Sequence, residues 1–117
     1  MSSKIKMELW LTPEDKDDLF DYSKNIRCYD EFKRGKHGMR NASLTVRIII
    51  DLLLFGSIRL PENELNQKIN LRRSKRYRPI VDKTQRDKFL KFCKDEGYSP
   101  NQAIMWVVKN EDINKYL

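Results

Sequence analysis

The chain has 117 residues and a formal net charge of +7, from 24 Lys and Arg against 17 Asp and Glu. That length suits one compact unit with a modest core, and the basic excess favours a polyanion partner, nucleic acid before an anionic membrane. The two cysteines, Cys28 and Cys93, stand too far apart and too alone for a zinc site or a disulfide scaffold, which points to a reducing compartment.

Met1-Ser2-Ser3-Lys4 carries no signal-peptide pattern, so a cytoplasmic location is expected. From Lys4 to Leu11 the residues alternate without a break. Ile5, Met7, Leu9 and Leu11 fall on one side; Lys4, Lys6, Glu8 and Trp10 fall on the other. A period of two predicts a strand with one buried and one open face. Thr12-Pro13-Glu14 ends it with a hydroxyl cap and a proline at the first helical position. The acids Glu14, Asp15, Asp17 and Asp18 suit the positive end of a helix dipole.

A first helix is expected from Pro13 to about Phe32, with Leu19, Tyr22, Ile26 and Tyr29 on one apolar stripe and Phe20 beside it. Lys33 to Arg40 contains Gly35 and Gly38 and reads as a loop. It holds His37, the only histidine, which is expected to be solvated. Asn41 or Ser43 can cap a second helix running to about Phe55. Leu44, Ile48, Leu52 and Phe55 form its stripe, widened by Val46, Ile49, Ile50, Leu53 and Leu54. A helix apolar nearly all round must be buried nearly all round. Residues 1–57 offer too little surface for that, so this helix needs the second half of the chain or another subunit. The block from Ile48 to Phe55 is too short to span a bilayer and contains Asp51.

Residues 58–74 read as a connector, with a short helix from Pro61 to about Ile69. A basic run follows: Lys68, Arg72, Arg73, Lys75, Arg76 and Arg78, with no acid among them. The run merges into a second expected strand, Lys75 to Val81. Pro79 lies within it and removes a ladder donor, which is tolerable if the missing N–H would have pointed away from the partner strand. Asp82 is a plausible cap for a helix over Lys83–Glu96, with Phe89, Phe92 and Cys93 on one stripe and Gly97 at its end. Ser99 and Pro100 restart a helix whose Ala103, Ile104, Val107 and Val108 face inward, with Met105 and Trp106 alongside. The polar tail from Asn110 is expected to fray. Residues 75–117 thus repeat the order of residues 1–57: strand, helix, loop, capped helix. Residue identities barely recur between the two.

This repeat resembles the ribbon-helix-helix family of DNA-binding proteins (the Arc, MetJ and CopG type). The likeness rests on Lys6-Met7-Glu8-Leu9-Trp10-Leu11-Thr12 and Asn41-Ala42-Ser43-Leu44-Thr45-Val46-Arg47 in the first half. In the second it rests on Arg76-Tyr77-Arg78-Pro79-Ile80-Val81-Asp82 and Gly97-Tyr98-Ser99-Pro100-Asn101-Gln102-Ala103-Ile104. The resemblance implies a mainly α fold with a short two-stranded antiparallel β-ribbon. Two tandem ribbon-helix-helix repeats would form an intramolecular pseudo-dimer, with the ribbon entering the major groove of double-stranded DNA. The implied base readers are Lys6, Glu8, Trp10, Arg76, Arg78 and Ile80. The arginines suit guanine, Glu8 suits a cytosine amino group or repels phosphates, and Ile80 suits a thymine methyl. Trp10 suits a sugar or a methyl, or equally a structural role covering the helix start or a neighbouring protomer. The implied phosphate contacts are the ends of the second helices, Asn41, Ser43, Ser99 and Asn101, together with Lys4, Arg40, Arg72, Arg73 and Lys75. No cofactor and no membrane partner are expected.

One histidine, no Gly-rich phosphate loop and no metal spacing argue against an enzyme. Similarity to tandem ribbon-helix-helix conjugation proteins implies an accessory (relaxosome) role at a plasmid transfer origin, beside a relaxase or further copies of the chain. A repressor of a small operon is the alternative within DNA binding. An antitoxin-like interaction module is the alternative outside it, although the tail after Asn110 is short for wrapping a toxin. RNA binding would want stacking aromatics on the strands beyond Trp10.

Overall fold

The computed structural model describes residues 3–27, 42–62 and 75–117. The chain is mainly helical with a small antiparallel two-stranded sheet. The first half supplies β1 (Lys4–Lys6), β2 (Leu9–Leu11), α1 (Pro13–Ser23) and α2 (Ala42–Leu54). The second half supplies β3 (Lys75–Tyr77), β4 (Ile80–Asp82), α3 (Lys83–Glu96) and α4 (Pro100–Asn110), followed by a 3-10 turn at Ile113–Tyr116.

β1 pairs with β4, and β2 with β3, both antiparallel. Both ladders share one register: the residue numbers of each pair add to 86, from 4 with 82 to 11 with 75. The two ladders are therefore a single ribbon interrupted at its middle. The interruption corrects the expectation of two unbroken strands, and Pro79 is its cause. The Met7 amide donates to the Pro79 carbonyl at 2.9 Å. In an antiparallel pair of that kind the reciprocal bond would run from residue 79 back to residue 7. Proline has no N–H to make it. The missing donor thus points at the partner strand, not away from it. The ribbon gives up one ladder bond at its centre and keeps its register on both sides.

The alternation read from Lys4 to Leu11 is present. Met7, Leu9, Leu11 and Val81 are buried beneath the ribbon, while Lys4, Lys6, Glu8 and Trp10 are exposed. A two-stranded ribbon is marginal alone and needs a packed face. Here the helices provide it: Leu9, Leu11, Leu19, Val46, Ile49, Ile50, Val81, Phe89, Ile104 and Val107 are all fully buried in one core.

The helix starts follow their capping residues. Thr12 accepts from the Asp15 amide at 3.0 Å, and Pro13 takes the first turn. Asp82 caps α3 by accepting from Thr84 and Gln85, and Gly97 closes that helix in the left-handed region at φ 77°. Ser99 and Gln102 form a reciprocal capping box on α4. α1, however, stops at Ser23 rather than near Phe32. Its last turn tightens through Lys24, Asn25 and Ile26 amides bonding three residues back. Ile26 still reaches the core, from outside the helix. Residues 28–32 lie outside the described part, as do Cys28, Tyr29, the loop with His37, and most of the expected short helix after Pro61.

In α2 the expectation of all-round burial is met: Asp51 is its one exposed residue. The expected stripe is not its deepest side, though. Val46, Ile49, Ile50 and Leu53 are buried, whereas Ile48 and Leu52 are half-buried and Phe55 is 83% exposed. Phe55 lies past the helix end, where Gly56 (φ 77°) turns the chain and Ile58 takes the buried place. The connector therefore begins as packed chain. Tyr98 strengthens that by donating its hydroxyl to the Pro61 carbonyl. On α4, Met105 is buried and Val108 only half-buried, a small rotation from the expected inward face.

The tail is anchored rather than frayed. Ile113 is fully buried. The Tyr22 hydroxyl donates to the Glu111 carbonyl at 2.6 Å and accepts from the Ile113 amide at 2.9 Å. Asn114 accepts from the Arg27 amide and donates to the Asn25 carbonyl, so the tail also ties down the end of α1. Removing the hydroxyl leaves two partly buried backbone groups without that partner. Tyr22→Phe should cost about 1–3 kcal/mol in urea denaturation and open the bond after Lys115 to trypsin.

Cys93 is 2% exposed, and burial pushes its thiol up to about 12 from an ordinary value near 9. Burial also raises the Tyr22 hydroxyl, against the Ile113 amide bond that lowers it and with the Asp112 and Glu111 charges that add to the rise. The folded chain therefore holds these protons where the unfolded chain releases them. The stability tied to Cys93 is intact below about pH 9, declines above it and is gone by about pH 12. Thermal melts across this range should show an alkaline limb. Cys93→Ala should start from a lower melting temperature at pH 7 and lose less of it on the way to pH 11.

Candidate nucleic-acid interface

One register places all even-numbered ribbon residues on the side away from the helices. Lys4 lies opposite Asp82, Lys6 opposite Ile80 and Trp10 opposite Arg76. The same register sets Glu8 opposite Arg78 across the interruption. All six residues read from the sequence as base readers therefore share one face. Five are exposed and Ile80 is half-buried. The face has a polarity. Its Trp10 end carries both arginines, and its Lys6 end pairs a lysine with an aliphatic side chain.

The arginine end is internally bonded. The Trp10 indole N–H donates to Glu8 Oε1 at 2.7 Å, and Arg78 approaches Glu8 Oε2 at 3.6 Å. The Arg76 guanidinium lies 6.0 Å from the centre of the Trp10 ring. Arg76, Trp10, Glu8 and Arg78 thus form a continuous chain of contacts across the two strands. The ion pair is open to solvent on both partners, so it contributes well under about 1 kcal/mol to stability. It orders side chains more than it holds the fold.

The second-helix ends meet the ribbon directly. Asn101 Oδ1 accepts from the Trp10 amide at 3.2 Å, and Ser43 Oγ accepts from the Ile80 amide at 3.1 Å. Ser43 also contacts the Tyr77 hydroxyl at 3.3 Å. These two bonds occupy matching places. Ser43 is the second residue of α2 and Asn101 the second of α4. Ile80 lies three residues before α3 and Trp10 three residues before α1. Each half thus uses its last helix to hold the other half's strand. Read from sequence as phosphate contacts, Ser43 and Asn101 have their side-chain oxygens turned to the ribbon backbone. Ser99 is engaged in its capping box. The amides at the start of α4 still lie beside the ribbon edge.

Lys4 and Lys75 are exposed near opposite ends of the ribbon. Arg40, Asn41, Arg72 and Arg73 lie outside the described residues.

Arg47 was absent from the sequence-read site and supports it from behind. It is 7% exposed and donates from Nη1 to the Ile80 carbonyl at 2.7 Å. Gln85 of α3 donates to the Arg47 carbonyl at 2.9 Å and to Asp51 at 2.8 Å. Partial burial raises the Asp51 carboxyl, while Gln85 and the Arg47 charge lower it. The available signal was a lone cation inside the apolar run Leu44–Leu54. A charge in a helix that must be buried needs a partner, and the Ile80 carbonyl is one.

Among the described residues, no group of His, Cys, Asp and Glu could hold a metal ion, and no helix is long and apolar enough to cross a membrane. No protein-family model, curated protein or solved structure matches the chain.

The two ribbon ties carry a direct test. Ser43→Ala and Asn101→Ala should each lower stability by about 0.5–1.5 kcal/mol in chemical denaturation. Amide exchange should rise at Ile80 in the first variant and at Trp10 in the second.

Proposed function

We propose that this chain is a sequence-specific double-stranded DNA-binding protein that places its ribbon in the major groove. The observation that carries this reading is the open face: six side chains of reading chemistry in one register, on a ribbon narrow enough for that groove. Lys4, Lys6, Arg76 and Arg78 set four cations against Glu8 and Asp82 there. The net charge of +7 adds long-range attraction to a polyanion.

The two halves act, on this reading, as ribbon-helix-helix repeats joined into an intramolecular pseudo-dimer. The shared element order and the matched Ser43 and Asn101 bonds support it. Because the halves differ in sequence, one chain reads a non-palindromic site. A symmetric dimer would present the same residues twice. Sequence-neutral anchoring comes from Lys4 and Lys75 at the ribbon's ends, from Arg72 and Arg73 just before the second strand in sequence, and from the amides opening α4. The role we assign within the cell is that of an accessory factor at a plasmid transfer origin. Its support is the family resemblance of the tandem arrangement.

The deciding measurement is fluorescence anisotropy with a duplex selected from a random pool, beside a scrambled duplex. The parent chain should bind the selected duplex at least tenfold more tightly. Arg76→Ala/Arg78→Ala should erase that preference while melting near the parent temperature, since both side chains are exposed. The log–log salt slope of the parent should be steep, at about 0.9 per phosphate neutralised. Equal binding of both duplexes by the parent, or an undiminished preference in the double variant, would sink the proposal.

A further inference from the structure

Two contacts and the strand register converge on one exposed carboxylate. Glu8 Oε1 accepts from the Trp10 indole at 2.7 Å, Glu8 Oε2 lies 3.6 Å from Arg78, and the register sets Glu8 directly across the ribbon from Arg78. A carboxylate on a DNA-facing surface opposes phosphate binding by its charge. For non-specific affinity alone, this position would be better filled by almost any other polar residue. Its place between an indole donor and a guanidinium points to a different task.

A carboxylate has about four lone-pair sites on its two oxygens. The indole takes one of them, and Arg78, at 3.6 Å, lies close by as a charge partner, which leaves acceptor capacity directed outward. A guanidinium with five donors, approached by the carboxylate at a single nitrogen, keeps donors for a base. The cross-strand pair therefore presents an acceptor beside a fork of donors. A G·C pair in the major groove presents the complement: the guanine N7 and O6 acceptors beside the cytosine N4 amino donor. No other base pair offers two adjacent acceptors next to a donor in that arrangement.

We infer that Glu8 is a specificity-determining residue, and that Glu8 and Arg78, steadied by Trp10, read one G·C base pair as a unit. The inference rests on the DNA-binding reading above. Trp10 is then a positioning residue: its indole fixes the Glu8 rotamer, and its ring steadies Arg76. This gives its side chain a task neither purely structural nor purely base-contacting. The carboxylate has a second effect on the same logic. It weakens binding to every sequence that lacks the cytosine amino group at that place, so discrimination is gained by lowering affinity elsewhere.

The test is a paired selection. Parent, Glu8→Gln and Arg78→Ala each select duplexes from the same random pool, and anisotropy then gives affinities for the parent's consensus, its single-pair variants and a scrambled duplex. Glutamine keeps the shape of Glu8 and removes its charge. The expected result for Glu8→Gln is a several-fold rise in affinity for the scrambled duplex, with preference relaxed by about tenfold at a single G·C pair and unchanged elsewhere. Arg78→Ala should relax the same pair. Double substitution should relax it no further than either alone, which a merely structural role would not produce. Retention of the full consensus by Glu8→Gln overturns the inference and leaves the DNA-binding reading standing. So does relaxation at different pairs in the two variants, or an even loss at all positions accompanied by a lowered melting temperature. Failure of the parent to select any duplex overturns both.

Discussion

Two strands far apart in sequence can satisfy only each other, and the rest of the molecule is arranged around that. A short strand exposes a row of backbone donors and acceptors that water or a partner must meet. Lys4–Leu11 and Lys75–Asp82 are too short to form a sheet with anything local, and each is followed at once by a capped helix that turns the chain away. Pairing in one register from 4 with 82 to 11 with 75 brings the two halves face to face. The Ser43 and Asn101 side chains then meet two more strand amides, and the Arg47 guanidinium meets the Ile80 carbonyl. These ties explain why the ribbon tolerates Pro79 at its centre. One lost ladder bond in a sheet this small is a serious defect only if the flanking register can slip. Leu9, Leu11 and Val81, fully buried on one face, prevent that, because a one-residue slip would turn them to water.

Burial of α2 follows from the same pairing. Its Val46, Ile49, Ile50 and Leu53 need apolar surface on several sides at once. α1 alone covers one of them. Once the strands pair, α3, α4 and β4 arrive around it, with Phe89, Ile104, Val107 and Val81 fully buried in the same cluster. The hydrophobic term thus comes mainly from contacts between the halves. Strand pairing and core formation are two aspects of one event, and neither half has a complete core alone.

Much of this was legible in the residues. Period-two alternation marked the ribbon and its open face. Thr12-Pro13, Asp82, Gly97 and Ser99-Pro100 marked helix ends to within a residue. Most of the failures depended on tertiary contacts that a local pattern does not carry. α1 keeps its apolar spacing through Ile26, yet its helix stops at Ser23, and Asn114, from the far end of the chain, takes up the Arg27 amide beyond it. The tail reads as polar and loose, but Ile113 and the Tyr22 hydroxyl anchor it. Phe55 fits a helical stripe and is exposed because Gly56 ends the helix and Ile58 fills the space. For the site, residue types identified the open face, while the contacts among Trp10, Glu8 and Arg78 required the register. Ser43 and Asn101 read as phosphate contacts because a helix N-terminus offers donors to an anion. Which way a cap-region side chain turns depends on the nearest backbone, and here that is the ribbon.

Asymmetry is what separates this chain from a pair of identical subunits. Trp10 and Ile80 occupy matching places before α1 and α3, and Ser43 and Asn101 occupy matching places in α2 and α4. Between those fixed points the two sequences differ. Glu8 and Trp10 face Arg78 and Arg76 across the ribbon, whereas Lys6 and Lys4 face Ile80 and Asp82. Two identical strands in this register would oppose residue 8 with its own copy, and a Trp–Arg pair on one side of that centre would recur on the other. One polypeptide escapes that constraint. It can set an indole and a guanidinium on one side of the central Glu8–Arg78 pair, and a lysine and an aliphatic side chain on the other. On the proposed reading, joining the halves in one chain does more than raise their effective concentration. It lets the ribbon point in one direction along the DNA, a property a two-fold symmetric reader does not have.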